Sequence, residues 1–104
     1  MDALLFIKDV VDLTTNEFDV CMRMWNDTLK DMRNGIDLER VEVTTERLFE
    51  CSSRIAMARA ILIESDATEE EPALSRRAIS LFDSLIQAIE SSQHHLVLLL
   101  PRGD

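Results

Sequence analysis

Apolar residues recur every seven positions through most of this chain. In the stretch Leu38 to Ser65, Val41, Leu48, Ile55 and Leu62 form one such row, and Thr44, Cys51 and Ala58 fall three places after its first three members. That spacing is the seam of a helix packed lengthwise on a partner. A second row, Phe49, Ala56, Ala60 and Ile63, lies beside it and predicts a middle helix that touches neighbours on both sides. Glu39, Glu46, Glu50 and Arg54 take the opposite, solvated side, with Glu50 and Arg54 spaced for an intrahelical pair worth only ~0.3 kcal/mol. Arg59 projects between the two apolar rows, in a column with Thr45 and Ser52. A polar residue at a seam can set helix register at a cost in stability, which makes Arg59 the candidate register-setting polar core residue. The competing reading lays its stem along apolar surface with the guanidinium in water.

The first segment carries the same repeat, with Leu4, Val11, Phe18, Trp25 and Met32 in one row and Ile7, Thr14, Cys21 and Thr28 three places later. One unbroken phase predicts one helix over about 2–33, ~45 Å long. Thr14 and Glu17 have capping-box spacing, and a break near Thr14–Asn16 would give four helices. Asn34-Gly35 is a helix stop, because both residues tolerate left-handed backbone. Asp37 can cap a second helix over 37–65. After Ser65, Thr68 and Glu71 offer another capping box, and Pro72 suits a first turn. The third helix then runs 69–100, with Leu74, Ala78, Phe82, Leu85, Ile89 and Leu96 as its core row, widened by Leu81, Ile86 and Leu99. Pro101 ends it, and the tail 101–104 is expected to fray.

The expected fold is all-α: an antiparallel up-down-up bundle of three long helices forming a single domain, 1–104. Folding the first hairpin about Gly35 brings residues to equal height when their numbers sum to roughly 72, as follows from a constant rise per residue. Trp25 should then meet Leu48, Val11 should meet Ile61, and Cys21 should meet Cys51.

Composition supports this reading. Two glycines and two prolines cannot supply the corners of an all-β fold, and an apolar fraction of 46% excludes a fully disordered chain. The net charge of −9, from 20 acidic against 11 basic residues, argues against binding nucleic acid or an anionic membrane. No apolar run reaches the ~18 residues of a membrane span. The start, MDALLFIKDVV, lacks the basic-then-apolar order of a signal peptide, so a cytoplasmic location is expected.

Chemistry-bearing motifs are few. Glu90 and His94 share a helix face beside His95, yet a metal centre in a bundle needs ligands from several helices, so no metal or cofactor is expected. There is no Gly-rich phosphate loop and no nucleophile elbow, and no catalytic residue is assigned. Arg102-Gly103-Asp104 matches an adhesion triplet but reads as a polar terminus. Cys21 and Cys51 form small core residues when reduced and a possible disulfide between the first two helices when oxidised. Met22, Met24, Met32 and Met57 read as core filler.

Two places are apolar all round the helix, Ala3 to Ile7 and Leu96 to Leu100. A three-helix bundle cannot cover every side of them, so Leu4, Leu5, Leu96, Val97, Leu98 and Leu100 become candidate partner-binding residues. The function expected is a small acidic, non-enzymatic protein–protein interaction module, such as an adaptor, chaperone or regulator, and a homodimer. The alternative is an acidic nucleic-acid mimic that inhibits a DNA- or RNA-binding protein, using Glu39, Glu42, Glu46 and Glu50 with Glu69, Glu70 and Glu71, although Arg40, Arg47 and Arg54 interleave the first group.

Overall fold

The computed structural model describes residues 2–99. Four helices follow one another: α1 (Ala3–Met32), α2 (Leu38–Glu64), the short α3 (Ala67–Glu70) and α4 (Pro72–Leu99). The three long ones make the up-down-up bundle, and α3 is a single turn beneath it. Leu100 and the tail expected at 101–104, with its Arg-Gly-Asp triplet, lie outside the described residues.

Local chemistry sets each boundary. Asp2 caps α1 by accepting a hydrogen bond from the Leu5 amide at 3.2 Å. Helix α1 does not break at Thr14, because the Thr14 hydroxyl donates backwards to the Val10 carbonyl at 2.7 Å and stays inside the helix instead of capping a new one. Gly35, at φ +131°, turns the chain in a conformation that a Cβ would strain. Asp37 Oδ1 then accepts from the amides of Glu39 and Arg40, which starts α2. The second capping box is not formed. Thr68 Oγ1 donates to the Ser65 carbonyl, Asp66 precedes α3 without a side-chain cap, and the last long helix starts at Pro72 rather than 69. Buried Ser75 donates to the Ala67 carbonyl at 3.1 Å and ties α4 to this turn.

The core is the heptad seam of all three rods. Leu48, Ile55, Leu62, Phe82, Ile89 and Leu96 are fully buried, each contributing on the order of 1.5–3 kcal/mol. Small residues fill the α1–α2 contact. Thr28 meets Thr44 and Cys21 meets Cys51, both pairs at the height given by a sum of 72. Ile61 is exposed and borders the same hollow as Val10, at the height the rule gives, while Val10 and Val11 both pack against the core. Trp25 packs against the core that contains Leu48, its ring edge-on to His95 at 6.0 Å.

The molecule is a rod of 54 × 23 × 16 Å with a radius of gyration of 16.5 Å, against roughly 13 Å for a compact domain of this length. Its surface of 7091 Å² likewise exceeds the roughly 6,000 Å² of an ordinary monomer of its mass.

Candidate protein-binding surface

The second apolar row of α2 is not buried against a neighbour. Phe49, Ala56, Ala60 and Ile63 are all exposed, Phe49 to 66%. Helix α2 reaches both partners through the seam itself, because Thr44 and Cys51 face α1 while Leu48, Ile55 and Leu62 share the core with Phe82, Ile89 and Leu96 of α4. Arg59 is not a core residue either. Its Nε donates to Asp83 Oδ1 at 2.7 Å on the partly exposed α2–α4 edge, so its stem skirts the seam and its charge meets water and a carboxylate.

Among the candidate partner-binding residues, Leu96 is wholly buried in the chain's own core and presents nothing to a partner. The seam needs an apolar residue seven places after Ile89, and Leu96 fills that position. Leu4 and Leu5 are exposed at one end of the rod and Val97 and Leu98 at the other, because α1 starts where α4 starts and the apolar runs sit at opposite helix termini. Leu100 lies outside the described residues.

A larger open apolar surface runs along the α1–α2 pair. Two adjoining hollows, of about 310 and 300 Å³, share Leu13, Glu17 and Arg54. The first is floored by Cys21 and Cys51 and walled by Val20 and Met24. The second adds Val10, Met57 and Ile61 beside Thr14 and Ala58. Leu13 and Val20 are 66% exposed and Met57 63% exposed, so Met57 is surface rather than core filler. The rims hold an ion pair, Arg54 to Glu17 at 3.6 Å, with Arg47 and Glu50 close by.

The two thiols at the floor are free and buried side by side, each donating across the helix contact to a backbone carbonyl: Cys21 Sγ to Arg47 at 3.8 Å and Cys51 Sγ to Glu17 at 3.7 Å. Burial pushes the Cys51 thiol up to about 12, helped by the neighbouring Cys21 and Glu17 and opposed by Arg54. Burial also raises Cys21, with the neighbouring Cys51 partly opposing that rise. Both therefore stay protonated at neutral pH, where a thiol is a poor nucleophile.

Compared with protein-family models, curated proteins and solved structures, the chain finds no match.

Other candidates are less developed. Glu90 and His94 border a shallow hollow with Gln87 and Ser91, offering two metal ligands from one helix; among the described residues no group of three or more His, Cys, Asp or Glu converges on a common point. No described helix is long and apolar enough to cross a membrane. Glu39, Glu42, Glu46 and Glu50 belong to the first half of α2, and Glu69, Glu70 and Glu71 follow its far end, so the centres of the two acidic groups lie ~30 Å apart along the rod.

Sequence reasoning missed the α1–α2 surface. Its signal was present as a heptad column, Phe6, Leu13 and Val20, one step from the seam.

Proposed function

We propose that this chain is a small acidic protein–protein interaction module, non-enzymatic and working in a reducing, cytoplasm-like compartment, that makes its contacts through apolar helix surface. The carrying observation is that exposed large apolar side chains among the described residues are at least as numerous as the buried apolar ones, and several gather in one groove between α1 and α2. Contiguous apolar surface of this kind marks an interface. The two ends of the rod, with Leu4, Leu5, Val97 and Leu98, are lesser candidate contacts.

The acidic-mimic reading draws less support. Its carboxylates divide between two distant places, and Arg40, Arg47 and Arg54 interrupt the larger group.

A photo-crosslinking side chain placed at Leu13, at Leu98 or at polar Glu69 in the intact chain tests the proposal in cells. Covalent adducts with protein are expected at Leu13 well above those at Glu69. Equal, low yields at all three positions would overturn it.

A further inference from the structure

The groove has a composition that selects among occupants. The hollow over the two cysteines is lined by two carboxylates, Glu17 and Glu50, and two guanidiniums, Arg47 and Arg54. Acid and base are balanced there although the whole chain carries −9. A strongly basic or strongly acidic partner helix gains nothing from a balanced lining. A surface turned onto itself by a two-fold axis gains directly, because each acid can be placed against a base of the same set.

Area agrees. A specific interface of standard size removes about 600–1,000 Å² from each partner. The apolar strip from Val10 to Met24 spans ~21 Å of α1, and with the facing stretch of α2 it forms a two-helix-wide surface.

We propose that this face is closed by a second copy of the chain, hairpin against hairpin, so that two α1–α2 pairs form a four-helix layer with one α4 on each outer side. Leu13, Val20, Met57 and Ile61 supply its apolar core, and Glu17 and Glu50 of one protomer meet Arg47 and Arg54 of the other. The inference rests on the interaction-module reading above and names the occupant of its groove.

Charge-segregated variants test it. The full chain with Glu17→Arg and Glu50→Arg has an all-cationic lining, and the full chain with Arg47→Glu and Arg54→Glu an all-anionic one. All four positions are at the groove rim rather than in the core, and circular dichroism checks that the helices persist. In sedimentation equilibrium the unaltered chain is expected to be dimeric. Each variant alone should dissociate at least about tenfold more readily, and their equimolar mixture should recover a one-to-one dimer. Leu13→Glu, which adds a charge without touching the ion pairs, should be monomeric and still helical.

The proposal is overturned if the charge variants self-associate as tightly as the parent, if their mixture stays monomeric, or if the parent itself is monomeric through the micromolar range. In that last case, adducts at Leu13 with a different protein would leave the interaction-module reading standing and remove only the second copy.

Discussion

The hydroxyl oxygens of Thr28 and Thr44 lie 2.8 Å apart inside the α1–α2 contact, with both side chains almost fully buried. Each is also close to the carbonyl one turn back, at 2.9 Å from Met24 and 2.8 Å from Arg40. Two hydroxyl protons thus serve three acceptor contacts, and one backward bond is forgone whichever threonine donates across the helices.

Removing one hydroxyl leaves the other a backbone partner, so the loss is modest. Thr28→Val should cost about 1 kcal/mol. The double variant Thr28→Val with Thr44→Val should cost less than twice that, because the second change removes a hydroxyl that has already lost its cross-helix partner. Urea denaturation of the single and double variants checks both the size and the non-additivity.

Leu96 and Leu98 separate core from surface within one apolar run. Leu96→Ala should lower stability by about 2–5 kcal/mol, as expected for a fully buried leucine, and Leu98→Ala by about 0.5 kcal/mol or less. Thermal or chemical unfolding of the two variants distinguishes them, and equal losses would contradict the placement of α4.

The bundle was legible in the sequence because its core is the heptad itself. Val41, Leu48, Ile55 and Leu62 pack as their spacing requires, and Cys21 meets Cys51 because two rods of equal rise joined by a tight turn at Gly35 have their register fixed by counting. The groove was not legible for a physical reason. Leu13, Val20, Phe49 and Ile63 are all apolar columns beside a seam, and the pattern within one helix does not say on which side the third helix will lie. Helix α4 packs on one side of the hairpin and leaves the other uncovered. Short α3 was missed because Thr68 and Glu71 have capping-box spacing, while the turn is organised by buried Ala67 and its bond from Ser75.

The buried thiols make a pH-dependent contribution. Their protonated form is favoured in the folded state, so the associated stability is fully present below the ordinary thiol value of 9.0 and is lost as pH rises toward the raised value of about 12 for Cys51. Stability measured by urea titration should fall between pH 9 and pH 12, and Cys21→Ser with Cys51→Ser should flatten that fall. Alkylation of the native chain at pH 8 should be far slower than alkylation of the unfolded chain. Rapid native labelling would show that the thiols are not held as described.

Arg59 and Asp83 form a half-exposed pair, and such pairs contribute little. Arg59→Met should change stability by less than about 1 kcal/mol and leave the assembly state unchanged. A change in oligomer number would restore to Arg59 the register-setting role that its sequence position suggested.

The most direct test of the uncovered α1–α2 face is a soluble paramagnetic relaxation agent read at side-chain methyl groups across a dilution series. At high concentration the methyls of Leu13, Val20, Met57 and Ile61 should be shielded while those of Leu4, Leu5 and Leu98 stay accessible, and the shielding should vanish on dilution or in Leu13→Glu. If the four groove residues remain as accessible as Leu98 at every concentration, the face is not closed by a second copy and the dimer does not form there.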